Sequence, residues 1–177
     1  EAGIELPMYF DQGMYSWNHL AGAAMERYGA DRLTIPVELN EREIRDSGVQ
    51  GEMIVYGYLP MMISAQCIRK TTLGCSGKSE IMWLKDRKDM RFPVVNQCRF
   101  CYNTIYNSAP LSLLGLSEQV TGLKPNAVRL NFTVEEPAAA GEILDAFFEE
   151  YGMSEKAAEP PVLRNQFTRG HFKRGVE

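Results

Sequence analysis

Apolar positions at Trp17, Leu20, Ala21, Ala24, Met25 and Tyr28 recur at three- and four-residue spacing. That rhythm predicts a helix capped by Ser16 and stopped by Gly29. Residues 4–10 read as the end of a strand, and 33–39 alternate into a second one ending at Glu38. Asn40 with Glu43 has the form of a capping box for a short helix that Gly48 ends. Residues 51–58 form a continuous apolar run, as expected of a strand buried on both faces. Further on, 117–123 predict a helix, and 127–134 a strand with Val128, Leu130, Phe132 and Val134 on one face. Pro137 opens an amphipathic helix carrying Ala140, Ile143, Leu144, Phe147, Phe148 and Tyr151, with Gly152 at its exit.

Between Pro60 and Asn107 the rhythm breaks. Gly74 and Gly77 punctuate a long irregular excursion, relieved by one hairpin in which 81–84 and 91–95 flank the turn Asp86-Arg87-Lys88-Asp89. Loops of that length are functional or cross-linked.

Strands alternating with helices predict an α/β protein with parallel strands. About four such strands are half of an eight-stranded barrel. The predicted fold is therefore the C-terminal half of a β/α (TIM-like) barrel with a cysteine-bearing hairpin insertion. A small open α/β sandwich is the alternative. The barrel half occupies 1–152 and includes the insertion 59–107; a linker at 153–166 holds Pro160-Pro161, and a basic tail at 167–177 closes the domain. A half-barrel leaves two strand edges unpaired. An N-terminal barrel half, or a second chain, is expected to cover them. The chain begins Glu-Ala-Gly rather than with Met, which fits a piece of a longer protein.

Composition changes little in this picture. A net charge of -4 gives no global attraction to nucleic acid or to an anionic membrane. Only the tail residues Arg164, Arg169, Lys173 and Arg174, with His171 and Phe172, offer a local basic patch for RNA phosphates. Its bland alternative is a terminal segment that packs on the domain with solvated charges. No apolar run approaches a membrane span, and no basic-then-apolar leader is present, so the expected location is cytoplasmic.

The four cysteines Cys67, Cys75, Cys98 and Cys101 all fall in the excursion. In a reducing compartment such a cluster points to metal or redox chemistry. Cys98 and Cys101 make a C-x-x-C pair, whereas Cys67 and Cys75 are spaced loosely, unlike a zinc ribbon. Four thiolates suit zinc and a [4Fe-4S] cluster equally; ordinary reduced cysteines or one disulfide are the alternative. Cys67 follows the C-terminal end of strand 51–58, the face that carries the active site in β/α barrels. Glu38 and Asn40, and Thr133 and Glu135, end other strands on that face. Glu38 is the candidate to orient substrate or move a proton, against the commoner surface glutamate. Only His19 and His171 are present, and no H-E-x-x-H occurs, so a peptidase reading would rest on a cysteine paired with His171.

The run from Gly51 through Gly57 and Pro60 to Cys67 resembles the collagenase-like peptidase family of unassigned catalytic type, peptidase family U-thirty-two. Asp86-Arg87, Phe92-Pro93-Val94, the stretch from Cys98 through Cys101 to Pro110 and Leu111, and the close from Thr168 through Gly170 and Arg174 to Gly175 continue the likeness over most of the chain. The resemblance implies a peptidase by name. For several members it implies instead an iron–sulfur protein supporting oxygen-independent hydroxylation of RNA or a quinone precursor, with prephenate associated with the RNA-acting members. In that branch four cysteines hold a [4Fe-4S] cluster, and Cys67, Cys75, Cys98 and Cys101 are their counterparts here. This chain departs where many members carry Cys at Pro60 and His at Tyr56, which implies a rearranged ligand set. A third reading is a structural zinc clip in an interaction module.

Overall fold

The computed structural model describes residues 6–153 and 166–175. The predicted linker, apart from Met153 and Gln166, and the basic residue Arg164 lie outside the described residues.

Four strands run parallel in chain order. β1 (Met8–Phe10) pairs with β2 (Ala30–Leu33), and β3 (Glu52–Gly57) pairs with β9 (Ala127–Asn131). A parallel bridge from Thr34 to Glu52 joins the two pairs. It is reinforced by Thr34 N–H to the Phe10 carbonyl and Ile35 N–H to the Glu52 carbonyl, each 2.8 Å. The strands are staggered. Phe10 is level with Leu33, next to Thr34, whose partner Glu52 opens β3. The sheet also curls, because Arg129 on β9 reaches Asp11 at the end of β1 with an N–O distance of 2.6 Å. Three strand spacings in a flat sheet would amount to about 14 Å. Burial opposes the Asp11 charge, but its bonds to Arg129, Gln12 and Thr34 win and hold its pKa below the ordinary value. Among the described residues the parallel strands do not close into a barrel.

Helices cross between the strands. α1 (His19–Arg27) links β1 to β2 and α2 (Glu41–Ser47) links β2 to β3. α4 (Ser117–Gly122) precedes β9, and α5 (Pro137–Glu150) follows it. The predicted capping box on α2 is formed, with both Asn40 and Glu43 side chains bonded, and Gly48 ends the helix with a left-handed φ of 65°. Met53 to Tyr56 make the centre of the core, packed by Ile44, Leu113, Val120, Ile143, Phe147 and Phe172. That two-sided cover explains the unbroken apolar run of β3.

Four expectations need correction. The first helix starts later, capped by Asn18, whose side chain accepts from Leu20 and Ala21; Ser16 is buried before it. Its apolar stripe does not face the core either, since Leu20 and Tyr28 are 70% and 75% exposed. Gly22 faces inward instead, close to Val49 and Leu33, because a bare backbone lets the helix lie near β2. The second strand occupies 30–33, not 33–39. Pro36 lacks the N–H a ladder requires, so the chain turns there, and Glu38 lies in that turn rather than at a strand end. Likewise β9 stops at Asn131, four residues short of Glu135.

The largest correction concerns 59–107. It is an ordered antiparallel sheet, not an irregular loop with one hairpin. β4 (Pro60–Ser64), β7 (Tyr102–Tyr106), β6 (Arg91–Gln97) and β5 (Ile81–Lys85) lie side by side in that spatial order. The predicted β5–β6 hairpin forms half of it. Pro60 begins a strand instead of ending one: β4 is an edge, and a first-position proline there costs no ladder bond. The chain then returns to the core through β8 (Leu111–Ser112), antiparallel to Tyr56 and Gly57 of β3.

Candidate metal centre

The four thiols come from loops at one end of the antiparallel sheet. Cys67 is the N-cap of α3 (Ile68–Thr72), its sulfur accepting from Lys70 N–H at 3.5 Å. Cys75 lies between Gly74 and Gly77, both with positive φ. Cys98 opens a 3-10 turn after β6, with its N–H on Ser79 Oγ at 3.2 Å. Cys101 ends that turn at a φ of 56°, a left-handed conformation that is strained for a residue with a Cβ. The C-x-x-C therefore bends back on itself, Cys101 N–H bonding the Cys98 carbonyl at 3.3 Å.

Partial burial first, then Cys75, Cys101 and Cys67, push the Cys98 thiol pKa upward. All four cysteines are unpaired in disulfide terms. The gathering is looser than coordination: among the described residues no three or more His, Cys, Asp or Glu side chains stand at metal-holding spacing. In donor chemistry and grouping the residues fit a thiolate-bound centre, and a bound ion or cluster would have to pull the sulfurs closer.

Two buried asparagines fix this arrangement. Asn103, 0% exposed, donates from Nδ2 to the Gln66 carbonyl at 2.6 Å, setting the loop that delivers Cys67. Asn96, 1% exposed, accepts from Glu80 N–H at 2.5 Å and donates to the Lys78 carbonyl at 3.3 Å, setting the loop after Cys75. Arg69 ties the loops together through Glu80 at 2.8 Å and the Gly74 carbonyl at 2.8 Å. Ser76 adds a third bond to Glu80 at 2.9 Å, and Ser76 and Arg69 together lower the Glu80 pKa. Cysteine spacing alone does not point to these residues. A signal for two of them lies in the sequence nonetheless: asparagine is depleted in strands, yet Asn96 and Asn103 flank the C-x-x-C inside two apolar ones.

The remaining predicted site residues are elsewhere. Glu38 has one carboxylate oxygen, Oε2, buried without a hydrogen-bond partner among the described residues. Arg169 lies under the core, donating to the Ser112 carbonyl at 2.8 Å and the Leu114 carbonyl at 2.5 Å. His171 turns Nδ1 to the Gly175 carbonyl at 2.8 Å, within its own tail turn. Lys173 and Arg174 are exposed, Lys173 standing 3.8 Å from Glu41. The structure thus places the four cysteines in loops at one end of the antiparallel sheet, short of metal-holding spacing, and keeps the described tail residues as a separate group.

No protein-family model matches the chain, and comparison with curated proteins and with solved structures gives no match. The described residues contain no helix long and apolar enough to cross a membrane.

Proposed function

We propose that this chain is the C-terminal half of a β/α barrel related to the collagenase-like peptidase family, in its iron–sulfur branch. Its activity is support of oxygen-independent hydroxylation of RNA or a small aromatic metabolite in the cytoplasm. The observation that carries the reading is the placement of Cys67, of Cys75 and of the single Cys98–Cys101 turn in loops at one end of the antiparallel sheet. The stagger and curl of four consecutive parallel strands support the barrel half, because closure demands both.

In this reading Cys67, Cys75, Cys98 and Cys101 hold a [4Fe-4S] cluster, which supplies one-electron chemistry when bound. Asn96, Asn103 and Arg69 hold the ligand loops in place, as outer partners orient ligands. Glu38 offers Oε2 to orient a substrate hydroxyl or hold a proton. Among the described residues Lys173 and Arg174 are the tail cations left to meet phosphate, since Arg169 is committed to backbone carbonyls. The uncovered edges of β1 and β9 would meet an N-terminal barrel half or a second chain. For a peptidase, the pairing of His171 with a cysteine has no support, its one side-chain bond among the described residues being to the Gly175 carbonyl in its own tail turn.

Anaerobic purification with metal and sulfide analysis tests the proposal. Brown protein with about four irons and four sulfides per chain is expected, and loss of colour in each Cys→Ala variant. Colourless protein with one zinc would sink the cluster and leave a structural zinc clip.

A further inference from the structure

The two edges of the antiparallel sheet are built differently. β5 forms one of them and is bounded by charge: Glu80 precedes it, Lys85 ends it, and Asp86, Arg87, Lys88 and Asp89 follow. Lys85 is paired with Asp89 at 2.8 Å. Charges at an edge discourage a second sheet from adding to it. β4 forms the other edge and carries no charge. Its partner among the described residues is β7 alone, so the other side of its backbone has no ladder. From Met53 to Ile68 no Asp, Glu, Lys, Arg or His occurs. Met61, Met62 and Ile63 are 63%, 59% and 70% exposed. Successive strand residues point to opposite faces, so both faces of β4 are open beside its free edge. Pro60 and the register shift between it and Met62 blunt only the start of the strand; from Met62 to Ser64 the pairing with β7 is regular.

A free strand edge takes up an extended backbone, and its side chains decide which one. A charged segment or a phosphate backbone finds no counter-charge along β4. An uncharged apolar strand fits, and β4 is itself such a strand. Two copies meeting antiparallel, about a two-fold axis through the middle of β4, set Met61, Met62 and Ile63 against the same three residues. Each chain has a net charge of -4, yet like charges stay clear of this seam. β7, the next strand inward, is uncharged as well, and the strand charges Lys85 and Arg91 lie on β5 and β6 beyond it.

We propose that β4 is an interaction surface for a second copy of this chain, the two antiparallel sheets joining into one across paired β4 edges. The surface is separate from the open edges of β1 and β9, and it does not depend on what the thiols hold. Three side chains and one short ladder cover less than the about 800 Å² per partner of a standard interface, so the affinity is micromolar or weaker.

Sedimentation velocity of the intact chain under reducing conditions, from about 1 to 500 μM, tests the proposal. A monomer–dimer equilibrium with a midpoint of about 10–200 μM is expected, and nothing larger, because a two-fold pairing uses up the one free β4 edge of each copy. Ile63→Lys charges the edge at an exposed position and should weaken dimerisation at least about tenfold. Trp83→Lys, at an exposed position on β5, should leave it within about twofold. Methyl NMR of the methionines locates the seam in the parent protein: the Met61 and Met62 signals should shift with concentration, and those of Met8 and Met14 at the β1 end should not. A folded parent that stays monomeric throughout would overturn the assignment and leave the edge to a strand of another protein. Unchanged dimerisation in a folded Ile63→Lys protein, open-ended assembly, or shifts confined to Met8 and Met14 would overturn it too.

Discussion

Removal of the Arg169 side chain should unlatch the C-terminal tail. Arg169 donates to the carbonyls of Ser112 and Leu114, at the end of β8 and just beyond it, and its guanidinium covers the Phe167 ring at 4.7 Å. Glu150 on α5 faces it and holds the same segment through Gly115 N–H at 2.7 Å and Ser117 N–H at 2.9 Å. Burial lowers the Arg169 pKa and Glu150 works against that, so the cation is partly desolvated but compensated. Two hydrogen bonds from a charged donor contribute about 1.5 kcal/mol each at the lower end of their range, and the ring contact adds about 0.5. Arg169→Ala should therefore cost about 3.5 kcal/mol, a large share of the roughly 5–15 kcal/mol typical of a whole domain. In a chain of this size that corresponds to a drop in Tm of roughly 7–14 °C. Arg169→Lys places a point charge where a planar fork is needed and should lose about half as much. Urea unfolding followed by circular dichroism measures both, with unchanged m-values showing that the same structure unfolds. If Arg169→Ala stays within about 0.5 kcal/mol of the parent, the latch is not structural and Arg169 returns to the residues available for phosphate.

Asn103→Ala should cost about 1 kcal/mol by removing the bond that its fully buried side chain donates to the Gln66 carbonyl. It should also quicken modification of Cys67 by a thiol reagent, and equal rates in parent and variant would show that Asn103 does not hold the loop. The Tyr56 phenol has a pKa raised above its ordinary 10.0, chiefly by burial and then by Glu135. Folding thus keeps Tyr56 neutral where the unfolded chain has lost the proton. Its contribution is whole below about pH 10 and fades as pH rises toward the folded value, with a slope of at most about 1.4 kcal/mol per pH unit. Tyr56→Phe should flatten the fall in urea midpoint between about pH 9 and 11 by that amount, and an unaltered slope would refute the burial argument.

Elements whose signal is local were legible in the sequence. The capping box of Asn40 and Glu43, proline at the start of α5 and the buried run of β3 each report on a few adjacent residues, and each is found where expected. The antiparallel sheet was not, because its evidence is pairing between segments far apart. β4 meets β7 across about forty residues, and neither strand alternates cleanly. Pro60 then read as a break, although its meaning depends on whether β4 has one neighbour or two. The stripe of α1 failed for a related reason: periodicity shows that a face is apolar, not which body covers it, and Leu20 and Tyr28 have no cover among the described residues. At the thiols, spacing named the four residues but not the amides that position them. Asn96 and Asn103 gain their role only once two distant loops fold over the sheet.

The sheet that carries the cysteines is nearly separate from the core in energetic terms. Residues 60–106 contribute nothing to the main buried apolar cluster, whose members come from β3, α2, α4, α5, the 111–114 segment, Ile35, Leu39 and Phe172. The sheet is held instead by its own ladders, by Val94 and Pro93 at its centre, and by the asparagine and Arg69–Glu80 bonds. Its two attachments are close together. It leaves from the end of β3 and returns through β8, which pairs with Tyr56 and Gly57 of that same strand. Gly57 permits this crowding, since a Cβ there would collide with the Asn131 carbonyl of β9. A body joined at one place and weakly packed opens at lower free energy than the core. A metal or cluster held by the four thiols would therefore stabilise the sheet first, by mass action on its open state.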